Sequence, residues 1–99
     1  MTTLTIDFQE GFDQDSIICK VNEATVFNKN AVTTAKLIGL ADSINLEIEK
    51  EKVLIEITVK NRDLSKSIKL DISEGAYIGI SLSNNSISYI QSKEPFGYG

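Results

Sequence analysis

The chain has 99 residues, of which 41% are hydrophobic and 24% are charged. This length and composition indicate a single domain over residues 1–99 and exclude general disorder. The net charge is −4, from 14 acidic and 10 basic residues, and the basic residues are scattered along the chain. Proteins that bind nucleic acids normally carry a clustered basic patch, and proteins that bind anionic membranes normally carry a polybasic segment. Because the sequence shows neither, we expect no nucleic-acid or membrane partner.

Three features of the sequence concern the compartment. The first eight residues, MTTLTIDF, have no positive start and no continuous apolar core, so they are unlike a secretory signal. No apolar run approaches the roughly 18 residues needed to cross a bilayer. Cys19 is the only cysteine, which suits a reducing compartment. The sequence therefore predicts a cytoplasmic protein.

The first half of the chain predicts short β-strands separated by turns. Hydrophobic residues alternate with polar ones in 3–8, which is typical of a strand with one buried face. A second strand is predicted at 17–21, with Ile17, Cys19 and Val21 facing inward. A short third strand is predicted at 25–27, and Asn28–Asn30 is expected to end it because asparagine tolerates turn conformations. Strands 25–27 and 86–91 are the expected sheet edges.

Residues 31–40 allow two interpretations. Asn30 could cap a helix that ends at Gly39. Against a helix stands the β-branched run Val32-Thr33-Thr34, with predicted strands on both sides. The sequence favours an extended segment.

The most regular strand is 52–60, in which Val53, Ile55, Ile57 and Val59 recur at a period of two. It is expected near the middle of its sheet, and the charged turn 49–52 predicts an antiparallel hairpin with strand 43–49. Further strands are predicted at 68–72, 76–82 and 86–91, with Gly79 marking a bulge or a close approach.

Together these elements predict an all-β fold of seven to nine short strands spaced by about 8 to 12 residues. The expected architecture is a single antiparallel β-sandwich, immunoglobulin-like but without the usual tryptophan and cysteine pair. A small β-barrel is the alternative.

Several segments together resemble a known kind of protein: Gly11-Phe12-Asp13, Val32-Thr33-Thr34, Gly39-Leu40-Ala41-Asp42-Ser43 and the tail Glu94-Pro95-Phe96-Gly97-Tyr98. They are similar to a group of short, stand-alone bacterial β-sandwich proteins of unassigned function. The resemblance implies one β-sandwich domain in a bacterial cell and no catalytic residues.

Catalysis has little support in the sequence. There is no histidine, so the commonest general base and the commonest metal ligand are missing. Cys19 stands among apolar neighbours and is expected to be an inert core residue. The acidic residues Asp7, Glu10, Asp13 and Asp15 fall short of a calcium-loop motif. We expect no enzyme activity, no metal site and no cofactor.

Five aromatic residues are the candidate binding residues: Phe12, Tyr77, Tyr89, Phe96 and Tyr98. Tyr77 and Tyr89 could pair across neighbouring strands. Phe12 stands in a turn, and Phe96 and Tyr98 stand in the tail. The favoured interpretation is that the tail folds back and closes one end of the sandwich, with Phe12 as its floor. A partner or ligand patch is the alternative.

Two functions are compatible with these residues. The first is a non-catalytic interaction or structural module that binds another protein or itself, as a weak homodimer, through a sheet edge or the aromatic end. The second is a small-ligand or carbohydrate-binding sandwich that uses Tyr77, Tyr89 and Tyr98 as stacking surfaces. Exposure of the tyrosines distinguishes them.

Overall fold

A computed structural model describes residues 2–98, which form two packed four-stranded β-sheets. Sheet 1 has the strand order β4-β1-β7-β8, and sheet 2 has the order β3-β2-β5-β6. The all-β class and the β-sandwich are therefore confirmed. The strands are β1 (Thr2–Phe8), β2 (Asp15–Val21), β3 (Ala24–Val32), β4 (Asp42–Ile48), β5 (Lys52–Val59), β6 (Leu64–Asp71), β7 (Tyr77–Ser83) and β8 (Ser86–Ser92).

Two tight turns follow directly from local sequence. Asn22 and Glu23 join β2 to β3, and Asn84 and Asn85 join β7 to β8. All four residues have positive φ angles between 50° and 71°. Two successive left-handed residues make a type I′ turn, whose twist matches that of the flanking strands. Asparagine adopts this conformation at little cost and supplies three of the four residues, with Glu23 as the exception.

The core lies between the inner faces of the two sheets. The predicted row on β5, formed by Val53, Ile55, Ile57 and Val59, is buried throughout. The strand lies between β2 and β6, which confirms its predicted place in the interior of its sheet. Leu4, Ile6 and Phe8 supply the opposing row from β1. A methyl group at Gly79 would collide with the side chain of Gln9, which confirms the predicted close approach.

Three predicted details of strand pairing were wrong. The sandwich is not entirely antiparallel, because β1 and β7 pair in parallel. The strands β4 and β5 do not form a hairpin: β4 pairs with β1 in sheet 1, whereas β5 pairs with β2 and β6 in sheet 2. The charged turn between them carries the chain from one sheet to the other. The third strand does not end at Phe27, before Asn28–Asn30, but runs to Val32.

Residues 31–40 are neither a helix nor a continuous extended segment. Strand β3 ends at Val32, and an isolated bridge then pairs Ala35 with Leu40 around a turn. Ala31 has a φ of 58° and Gly39 a φ of 74°, so the backbone bends at both positions. Between residues 2 and 98 there is no helix long and apolar enough to span a membrane.

Candidate functional site: the β8 edge

The strand β8 forms one edge of sheet 1, as the sequence predicted for 86–91. One side of β8 pairs with β7 over its whole length, from Ser83 opposite Ser86 to Tyr77 opposite Ser92. No strand of residues 2–98 pairs with its other side, which we call the β8 edge. All seven residues of β8 are uncharged.

Backbone groups on the β8 edge follow from the register of the hairpin. In a two-residue hairpin the pair that flanks the turn is hydrogen-bonded, and the bonded pairs then alternate along the strand. Ser86, Ser88 and Ile90 therefore bond to β7. The N–H and C=O groups of Ile87 and Tyr89 point away from β7 and line the β8 edge. An incoming strand would find these groups ready to pair.

Hydrophobic side chains flank these backbone groups on both faces of sheet 1. Tyr89 lies opposite the buried Ile80 and therefore on the inner face, where it remains 40% exposed because it is at the edge. Ile90 lies opposite Gly79 on the outer face and is 55% exposed. A strand added to β8 would remove apolar surface from water on both faces as well as satisfying the backbone.

The other three edge strands carry features that discourage pairing. Strand β6 carries two lysines, and Lys66 lies opposite the buried Ile57, so its charge is on the inner face at the edge. The ladder of β3 is interrupted by two register shifts, and its Lys29 forms a salt bridge of 2.8 Å with Asp42 at the start of β4. Charges and bulges of this kind protect edges from other chains. Only β8, among the strands of residues 2–98, has an edge free of charge.

Comparisons with protein-family models, curated proteins and solved structures found no match.

The C-terminal tail folds back as predicted, but it lies on the outer face of sheet 1 rather than over an end of the sandwich. Tyr98 Oη donates a hydrogen bond of 2.6 Å to Asp7 Oδ2, and Gln9 Nε2 donates one of 3.0 Å to Tyr98 Oη. Ser43 Oγ donates to the other oxygen of Asp7 at 2.5 Å. Phe96 is half-buried along the same path.

The predicted aromatic floor was wrong, because Phe12 lies in the core. Its ring is buried and meets Phe8 edge to face, with 6.0 Å between ring centroids. Thr34 holds the turn at this position, since its Oγ1 accepts from the N–H of Phe12 at 3.1 Å. Phe8 and Asp7 occupy opposite faces of β1, so Phe12 and Tyr98 are on opposite faces of sheet 1.

The tyrosines do not form one flat binding surface. Tyr77 lies opposite Thr5 on the outer face and is half-buried, whereas Tyr89 is on the inner face. Tyr77 is opposite Ser92 and not Tyr89, so the predicted pairing of these rings does not occur. Tyr98 uses its hydroxyl to hold the tail. Stacking on a sugar needs aromatic rings that are exposed together on one face of the protein. The three tyrosines do not share such a face.

The hydroxyl of Tyr98 provides a test of tail docking. Burial, together with the hydrogen bond to Asp7, raises the pKa of Tyr98 to about 12. A raised pKa means that the neutral phenol is favoured in the folded state, so the Tyr98 contact contributes its full stability below pH 10, the ordinary pKa, and that contribution is lost as the pH rises to about 12. A spectrophotometric tyrosinate titration of the wild type is expected to include a step near pH 12, and Tyr98→Phe is expected to remove it. A step that survives in Tyr98→Phe would contradict this contact.

Residues with reactive side chains are occupied in structural contacts. Burial raises the pKa of the Cys19 thiol to about 12, and the side chain is fully buried in β2. Asp15 is also fully buried, and both of its oxygens accept hydrogen bonds from Arg62. Within residues 2–98 no three acidic or cysteine residues group closely enough to hold a metal ion.

Sequence reasoning missed Ile90 as a member of the site, although a signal was present. Ile87 and Ile90 are three residues apart, and side chains at odd spacing lie on opposite faces of a strand. The side chain of one of these isoleucines must therefore point away from the core. Ile87 is buried, so Ile90 is the exposed member.

Proposed function

We propose that the protein is a non-catalytic interaction module that binds other polypeptide chains through the β8 edge. The bound element is an extended strand, from another protein or from a second copy of this chain, that lengthens sheet 1 by main-chain pairing. The observation that carries the proposal is the lack of charge on β8, in contrast with the three other edges.

A second copy is a compatible partner because β8 can pair with itself antiparallel. In the register that places Tyr89 opposite Tyr89 of the other copy, Ile87 lies opposite Gln91 and Ser88 opposite Ile90. No charged residue meets another within the strands. The outward backbone groups fall into hydrogen-bonded pairs, and the two tyrosines become cross-strand neighbours. The interface has one short strand per copy, so the dimer is weak.

The substitution Ser88→Lys tests the β8 edge directly. It adds a charge to β8 on the outer face, where the side chain is exposed, so we expect weaker association with a nearly unchanged melting temperature in dilute solution. Sedimentation velocity over a range of concentrations measures the effect. The matched control is Ser67→Lys, which adds the same charge at an exposed position of β6, an edge strand that already carries lysines.

Two outcomes would count against the proposal. Equal loss of association in Ser88→Lys and Ser67→Lys would mean that net charge, and not the β8 edge, controls binding. A strictly monomeric wild type at high concentration would remove the second copy as a partner and leave a strand of another protein.

The carbohydrate-binding alternative has no comparable support, since the three tyrosines do not share one exposed face. The proposal also includes a cytoplasmic location and an immunoglobulin-like relationship.

A cytoplasmic location is supported by the buried, unpaired Cys19. An immunoglobulin-like relationship is supported by two packed sheets in a chain of this size, although its strand order differs: β1 and β2 lie in different sheets, whereas an immunoglobulin constant domain places its first two strands side by side.

A further inference from the structure

One flank of the sandwich is formed by the edge strands β6 and β8, which face each other from the two sheets. Gln91, near the end of β8, donates hydrogen bonds of 2.9 Å through Nε2 to Asp71 O, at the end of β6, and to Gly75 O just beyond it. The two strands therefore run in the same direction along this flank. A strand that pairs with the β8 edge is added to sheet 1 on this side of the sandwich.

The inner-face side chains of β6 and β8 carry a single charge. On β6 these side chains lie opposite the buried row of β5, and on β8 they lie opposite buried residues of β7. They are Leu64, Lys66, Ile68 and Leu70 on β6, and Ile87, Tyr89 and Gln91 on β8. Only Lys66 among them is charged, so the field on this side of the seam is positive.

Lys66 is exposed although it is on the inner face, so its side chain leaves the core at the open side of β6, which is the flank shared with β8. The two salt bridges found within residues 2–98 are those of Lys29 and Arg62, so Lys66 takes part in neither. As the third residue of β6 it lies level with the start of β8, around Ile87. A positive charge without a counter-charge therefore stands beside the place where a strand would be added.

An added strand would bring its own inner-face side chains next to Lys66. Neighbouring strands are about 4.8 Å apart and packed sheets about 10 Å apart. The side chain opposite Ile87 would point from sheet 1 towards the level of sheet 2, where β6 has no further neighbour. The long side chains of lysine and glutamate can meet across this space. A carboxylate at this position would give Lys66 its counter-charge while main-chain pairing holds the strand.

A second copy of β8 does not supply this carboxylate. In the self-paired register, Gln91 of the other copy lies opposite Ile87, and its amide already donates to two carbonyl groups of its own copy. None of the seven residues of β8 is acidic. Self-pairing therefore satisfies the backbone of the β8 edge but leaves Lys66 without a counter-charge.

We propose that the preferred partner of the β8 edge is an acidic strand of another protein, which pairs antiparallel to β8 and places a glutamate or aspartate opposite Ile87, beside Lys66. Two apolar residues precede the acid in that strand. They lie opposite Ile90 and Tyr89 and cover the apolar surface that these side chains expose on the two faces. The partner's sequence therefore reads apolar, apolar, any residue, acidic. This inference rests on the proposed function, because it requires that the β8 edge binds strands.

Fluorescence anisotropy with short labelled peptides tests the selection. The probe is the capped peptide Thr-Val-Val-Thr-Glu-Thr, whose glutamate falls opposite Ile87 when its second valine falls opposite Tyr89. Two companion peptides carry glutamine or lysine in place of the glutamate. At low ionic strength we expect the wild type to bind the glutamate peptide about three- to fivefold more tightly than the glutamine peptide and about tenfold more tightly than the lysine peptide.

The substitution Lys66→Glu is expected to reverse this order, so that the lysine peptide binds more tightly than the glutamate peptide. The matched control is Lys69→Glu, which makes the same change of charge on the same strand but on the outer face of sheet 2, opposite Leu54. It is expected to keep the wild-type order. Circular dichroism shows whether each variant is folded. Ser88→Lys is expected to weaken the binding of all three peptides.

The outcomes separate this inference from the proposed function. Equal binding of the three peptides by the wild type, weakened by Ser88→Lys, would overturn the selection by Lys66 and leave strand binding at the β8 edge intact. Equal changes of preference in Lys66→Glu and Lys69→Glu would also overturn the selection, since net charge would then explain it. No binding of any peptide would overturn both the selection and the proposed binding of strands from other proteins.

Discussion

Replacement of Arg62 by leucine is expected to lower the free energy of unfolding by about 3–5 kcal/mol. Asp15 is 0% exposed, and its two carboxylate oxygens accept hydrogen bonds from Arg62 at 2.8 and 2.9 Å. The Arg62 side chain is 27% exposed. Asn61 Nδ2 donates to Asp15 at 2.7 Å. Without the guanidinium, Asp15 is a buried carboxylate that lacks its counter-charge. Urea denaturation of both proteins measures the difference.

The matched control is Lys60→Leu in the same 3₁₀ turn, where the lysine is exposed and the change is expected to stay within about 0.5 kcal/mol. Equal losses in the two variants would show that the Asp15–Arg62 pair does not hold the fold.

The same pair predicts how stability depends on pH. Burial alone would raise the pKa of Asp15, but hydrogen bonds from Arg62 and from the backbone N–H of Asp13 outweigh it, so that the pKa is lowered. The stabilisation is therefore present above the ordinary aspartate pKa and is lost as the pH falls through the lowered value. Arg62→Leu is expected to lose less stability than the wild type over this acidic range.

Truncation of the β5 row is the second large effect. Ile57→Ala or Ile55→Ala is expected to cost about 2–5 kcal/mol, because both side chains are buried and their neighbours cannot fully close the cavity. Chemical denaturation measures the cost. Glu56→Ala, on the other face of the same strand, is the control and is expected to cost well under this amount. Losses below about 1 kcal/mol at both isoleucines would mean that the inner face is assigned wrongly.

Features set by neighbouring residues were predictable from the sequence. The period-two row on β5 indicated its buried face, and the uncharged run from Ser86 to Gln91 indicated an unprotected edge. In both cases the signal is carried by consecutive residues, because the alternation of side chains along a strand depends on the backbone alone.

Features set by distant residues were not predictable. The hairpin signal between 43–49 and 52–60 is local, but whether two strands share a sheet depends on which other strands bury them. Asp15 and Arg62 are 47 residues apart, and nothing in either neighbourhood indicates the pair. Phe12 stands in a turn that the sequence places at the surface. Only the fold brings it against Phe8.

Amide hydrogen exchange, measured residue by residue in dilute and concentrated protein, tests the role of the β8 edge most directly. The amides of Ile87 and Tyr89 line this edge and are expected to exchange rapidly in dilute protein and slowly in concentrated protein. Those of Ser88 and Ile90 already bond to β7 and are expected to be protected at both concentrations. Unchanged exchange at Ile87 and Tyr89, with new protection on β3, β4 or β6 instead, would contradict the account.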